Sequence, residues 1–165
     1  MAKPKPVNWQ LIEDQQLYQF VQDIIDKHHS GSKNIQGINF VLMWKHNIRQ
    51  DKDEYIVLAD ITKSADKYRE LRPHDIIIGI NKKAWQFLDE NQQAALIDTQ
   101  LERVAISLDK EGNPKEDDYA RTIYRLKRSE VIDNETISRR HGSNIEEIQE
   151  YIRSQIKNGG AEEDE

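Results

Sequence analysis

The chain has 165 residues, is 36% hydrophobic and 33% charged, and carries a formal net charge of −6. That composition supports one compact core under a heavily charged surface, and no run reaches the roughly 18 apolar residues needed to cross a bilayer. With no cysteine, disulfides and thiolate metal sites are excluded, and the acidic balance argues against generic affinity for nucleic-acid phosphates.

Residues 1–8, with Pro4 and Pro6 between lysines, read as a disordered lead. This basic start has no apolar segment behind it, so it lacks the central element of a secretion signal. From Trp9 to about His29 the pattern is helical. Leu17, Val21, Ile24 and His28 form one stripe, and Ser30-Gly31-Ser32 ends it. Three strand-like runs follow: Ile38 to Trp44, Tyr55 to Ile61, and Ile76 to Ile80. The polar stretch Asn47 to Glu54 reads as a hairpin connection between the first two. Lys63 to Leu71 is expected to be an irregular excursion or short helix ended by Pro73.

Asn81 to Leu88 reads as a helical turn. Asp89 or Asn91 then caps a longer helix expected to reach about Leu108, with Ala94, Ile97, Leu101 and Val104 inward. Asp109 to Asp118 is a surface loop, and Tyr119 to Leu126 a strand or hairpin arm. Two short helices close the domain, about Glu135 to Arg140 and Ser143 or Asn144 to Lys157. Residues 158–165 form an acidic tail, read as disordered. Its four carboxylates serve as a solubilising end or, in a sharper reading, as a small mimic of a nucleic-acid backbone. The whole is an α+β domain over residues 9–157.

The run Ile76-Ile77-Ile78-Gly79-Ile80-Asn81-Lys82-Lys83-Ala84-Trp85, followed by Gln92-Gln93-Ala94-Ala95-Leu96-Ile97-Asp98, resembles the core of the phage and prophage metallopeptidases. In that family a strand and an N-x-x-x-W turn lead into a helix carrying H-E-x-x-H. The Trp9 segment and Arg140-His141-Gly142 resemble its flanks, so the likeness covers most of residues 8–142. The resemblance implies a zincin-like fold: an N-terminal helix, a small mostly antiparallel sheet, the motif-bearing helix and a helical C-terminal region.

H-E-x-x-H places two imidazoles on one helical face to hold zinc, beside a glutamate that polarises the bound water. The corresponding residues here are Thr99-Gln100-Leu101-Glu102-Arg103. Threonine does not replace imidazole, arginine is a permanent cation, and the Gln100 amide is no general base. The family's downstream acidic and histidine segment falls near Ser129-Glu130-Val131, without a histidine. No catalytic residue, metal or cofactor is therefore expected. Thr99, Gln100, Arg103, Ser129 and Glu130 mark a degenerate cleft. There Arg103 either grips a partner's anion or forms an internal salt bridge with Asp98 or Glu130.

Adjacent His28 and His29 point about 100° apart on a helix and read as a polar helix end rather than a metal pair. His74 and His141 are further candidates for meeting in space. Arg121, Arg125, Lys127 and Arg128, then Arg139 and Arg140, with Tyr119 and Tyr124 among them, are a nucleic-acid stripe or simply a solvated face. Family context points to a cytoplasmic accessory protein that binds and modulates a bacterial host protein, such as a defence or DNA-processing factor. The rivals are a metal-dependent hydrolase with a non-standard site and a nucleic-acid-binding module.

Overall fold

The computed structural model describes residues 8–30, 35–46, 56–64 and 74–159. Residues 1–7 of the expected lead, the connection Asn47 to Glu54, residues 65–71 of the excursion and residues 160–165 of the tail lie outside them, while the first two residues of that tail belong to the last helix rather than to a disordered end. The described residues form an α+β arrangement of five α-helices around a mixed four-stranded sheet, with a separate two-stranded sheet. No helix among them is long and apolar enough to cross a membrane.

Strand β1 (Trp9–Leu11) precedes helix α1 (Gln15–His28). The helix therefore begins six residues later than the stripe suggested. The Asp14 carboxylate caps it by accepting from the Gln16 amide at 3.0 Å, while Trp9–Leu11 pairs antiparallel with β2 (Phe40–Lys45). Of the stripe, Leu17, Val21 and Ile24 are buried, as is Ile25 beside it, while His28 is half-buried. Strands β3 (Ala59–Lys63) and β4 (Ile76–Asn81) complete the sheet in the order β1-β2-β4-β3.

The expected hairpin between the first two runs does not form, because β4 lies between them. It pairs parallel to β2 and antiparallel to β3. The uninterrupted Ile76-Ile77-Ile78 explains the central place, since a strand flanked on both sides gains most from apolar residues on both faces. Ile76, Ile78 and Ile80 are fully buried on one face. On the other, a Cβ at Gly79 would stand 2.4 Å from Asp60 Oδ1 and 2.8 Å from the Trp9 ring. Only a residue without a side chain admits that approach. Gly79→Ala is accordingly expected to cost about 1–3 kcal/mol by overpacking, read as a lower urea midpoint with a shifted Trp fluorescence spectrum.

Asn81 ends β4 and begins α2 (Lys82–Phe87). Its Oδ1 accepts from the Ala84 amide at 3.2 Å, and its Nδ2 donates to the Val57 carbonyl at 3.2 Å. One buried amide thus caps the helix and ties it to the segment entering β3. Helix α3 (Glu90–Leu101) opens on a capping box between Asp89 and Gln92. It packs against α1, β3, α4 (Asn134–His141) and α5 (Ile145–Gly159), so Ala95 to Leu101 are all buried.

The structure shortens α3 relative to its expected end at Leu108. Val104–Ile106 leaves it as strand β5 and pairs with β6 (Tyr124–Leu126). Val104 is buried in the strand, and Leu108 beyond it is 55% exposed. Helix α4 stops at Gly142, whose φ of 73° is the left-handed cap that glycine adopts freely. Asn144 then starts α5 by accepting from the Glu146 and Glu147 amides.

Candidate functional site

The middle of α3 carries one ionisable residue in an otherwise apolar or neutral run. Asp98 is fully buried, and a carboxylate taken out of water must be paired. Three side chains from the ends of two other helices converge on it. His29, the residue that caps the end of α1, brings Nε2 to 2.5 Å from Asp98 Oδ1. His141, the last residue of α4, brings Nε2 to 2.7 Å from Oδ2. Arg140 Nη1 donates to Oδ2 at 3.1 Å and to Glu102 Oε1 at 2.7 Å. The ring of His28 stands edge-on to that of His141, with centroids 5.3 Å apart.

Burial by itself raises the Asp98 carboxyl pKa. The hydrogen bonds from His29 and His141, the His29 charge and the Arg140 bond together outweigh burial and hold it well below the usual carboxylate range. His28 titrates below its ordinary value, chiefly through burial, although Asp98 opposes this. For Asp98 the unfolded chain binds the proton at about pH 4 and the folded chain only at lower pH. The stabilisation is therefore complete above about pH 5 and is lost as pH falls through the folded pKa. In chelator-treated protein, the urea midpoint is expected to fall between about pH 5 and 3. Asp98→Asn should flatten that slope; an unchanged slope would refute this source of acid sensitivity.

The residues at the motif positions lie beside this cluster and do other things. Thr99 Oγ1 donates back to the Ala95 carbonyl at 2.8 Å, and both Thr99 and Gln100 are buried. Arg103 lies beyond the end of α3, with its amide bonded to the Gln100 carbonyl. Its Nε donates to the Lys127 carbonyl at 3.0 Å. The guanidinium on Asp98 is thus that of Arg140, and Arg103 pins the β5–β6 pair instead. Threonine, glutamine and an arginine past the helix end do not fit a tetrahedral zinc site. A metal in the family's place therefore finds no ligand set here.

Ser129 opens a 3-10 turn, Ser129–Val131, that contains Glu130. Beside it, Glu102, Lys127, Val131, Asp133, Thr136 and Arg140 line a cleft of about 340 Å³. Of the basic stripe, Arg121 is bonded to Asp117 at 2.8 Å and lies over the Tyr119 ring, while Arg125 is exposed on β6. Arg128 precedes the 3-10 turn, and His74 lies ahead of β4.

The model of the family described as "Putative phage metallopeptidase" matches residues 9–155. The chain belongs to that family. No curated protein and no solved structure matches it. The match runs through the whole Asp98 cluster, from α1 to most of α5.

Sequence reasoning passed over Asp98, His29 and Arg140 as one unit. The signal available was a carboxylate inside the run Ala94 to Leu101, which needed a cation from elsewhere. His28-His29 and Arg140-His141, both at helix ends, were the available donors.

Proposed function

We propose that this chain is a catalytically silent, zincin-like member of its family that works as a binding module in the bacterial cytoplasm. Its partner in this reading is a host protein, such as a defence or DNA-processing factor. The observation that carries it is the local structure at the motif positions. Thr99 is turned back onto Ala95, Gln100 is buried without a base's chemistry, and Arg103 has left the helix for Lys127. The hydrolytic machinery of a zincin needs two imidazoles on one turn and a carboxylate beside them. None of those groups stands at these positions.

A partner is expected to meet the cleft at the end of α3 rather than Thr99 or Gln100, which are covered. Val131 is 61% exposed there among groups of both charges, and this mixture suits protein recognition more than a polyanion. Tagged protein incubated in nuclease-treated bacterial lysate is expected to retain one host protein near equal stoichiometry. Val131→Asp should lower that retention at least tenfold. Recovery of nuclease-sensitive material alone would replace this reading with nucleic-acid binding. Zinc-dependent peptide hydrolysis by the purified protein would end the claim of silence.

A further inference from the structure

The three segments that meet at Asp98 bring together more than an ion pair. Nitrogen atoms of His28 and His141 and an oxygen of Asp98 all lie within 4.8 Å of one another. We propose that His28, Asp98 and His141 form a site for a divalent first-row metal of the zinc type, displaced from the family's motif and joining α1, α3 and α4.

The donor set is two imidazoles and one carboxylate, a combination suited to zinc, cobalt or nickel and poorly suited to calcium or magnesium. Its dimensions also agree. Bonds of 2.0–2.1 Å to a tetrahedral ion place ligand atoms roughly 3.3 Å apart and two imidazole centroids roughly 5 Å apart. The rings of His28 and His141 are 5.3 Å apart and nearly perpendicular. His141 Nε2 and Asp98 Oδ2, now 2.7 Å apart in a hydrogen bond, need to separate by less than 1 Å. An entering metal takes a lone pair on His141 Nε2, so a neutral ring carries its proton on Nδ1 instead, and an imidazolium releases one proton to solvent.

Asp98 is already oriented for this. Its Oδ1 accepts from His29 while Oδ2 faces His141, the outer-shell support that ligating carboxylates usually have. Arg140 is the opposing charge, and Glu102 offsets it at 2.7 Å. A second grouping, His29, Asp98 and Glu102, is less suited to an ion, because Arg140 bridges its two carboxylates. With three protein ligands the fourth position is left to water or to a partner's side chain. His28 is half-buried, so the site has a solvent-facing side.

This inference does not rest on the proposed silence of the motif, and its test needs no activity. Chelator-treated full-length protein is titrated with zinc chloride by calorimetry, and with cobalt(II) by visible absorption. One equivalent is expected to bind, with the intense cobalt bands of a tetrahedral site. His28→Ala removes a ligand that makes none of the hydrogen bonds to Asp98, so the variant should fold. It is expected to weaken binding at least tenfold, as is His141→Ala. Thr99→Ala should bind as the parent does, which separates this site from the family's motif. Absence of a one-to-one isotherm, or binding unchanged by His28→Ala in a folded variant, overturns the proposal.

Discussion

Replacing Asp98 with alanine is expected to lower the unfolding free energy by roughly 3–5 kcal/mol, because it breaks a buried ionic cluster from its centre. The carboxylate is fully buried and is the shared acceptor for His29, His141 and Arg140. Its loss strands the almost wholly buried imidazole of His29 and leaves Arg140 with Glu102. It also removes a side chain of α3 to which residues at the ends of α1 and α4 both bond. Asp98→Asn keeps the shape and part of the hydrogen bonding, so its loss should be smaller. Urea unfolding of chelator-treated protein, followed by far-UV circular dichroism at pH 7, measures both. A loss below about 1 kcal/mol in Asp98→Ala would mean that the cluster contributes no net stability.

Gln149→Ala is expected to cost about 2–4 kcal/mol, for a different reason. Gln149 on α5 is buried, and its amide serves as both partners of one backbone residue. Nε2 donates to the Ile56 carbonyl, and Oε1 accepts from the Ile56 amide at 3.2 Å. The side chain thus satisfies both backbone groups of Ile56 ahead of β3. Alanine leaves a buried donor and a buried acceptor unmade, each costing roughly 1–3 kcal/mol. Gln149→Glu keeps the acceptor but sets a carboxylate oxygen against the Ile56 carbonyl, so it should be at least as harmful. Hydrogen exchange of the Ile56 amide provides a local check. It should accelerate in Gln149→Ala, whereas undiminished protection would assign that amide to another partner.

Much of the helical framework was legible along the chain because its signals are local. The spacing of Leu17, Val21 and Ile24 marks one face of α1. Of the two caps that the sequence offered for each helix, Asp89 starts α3 and Asn144 starts α5. The three strand-sized apolar runs were equally visible, although β3 begins at Ala59, later than its run. The resemblance through Asn81 and Trp85 identified the family that the whole-domain match shows. Strand pairing was not legible. Whether Phe40–Lys45 lies beside Ala59–Lys63 or beside Ile76–Asn81 depends on residues distant in sequence, and a short connection suggested the wrong neighbour. The end of α3 was misread for the same reason, since Val104 fits a helical stripe and a strand equally well until Leu126 lies opposite it.

The sequence by itself determined what Thr99, Gln100 and Arg103 can donate or accept. Thr99, Gln100 and Arg103 are not zinc ligands or a general base in any conformation, because side-chain basicity and charge travel with the residue type. What those residues do instead was decided by tertiary structure. Arg103 is bonded to Lys127 because the helix ends two residues before it, and Arg140 takes Asp98 because α4 packs along α3. Likewise, His28 and His29 diverge when read on one helix. Folding places His29 beyond the helix end, and α3 and α4 bring Asp98 and His141 up to both. Composition and local spacing fix what each group can donate or accept. Only the packing of three helix segments fixes which groups are close enough to do so.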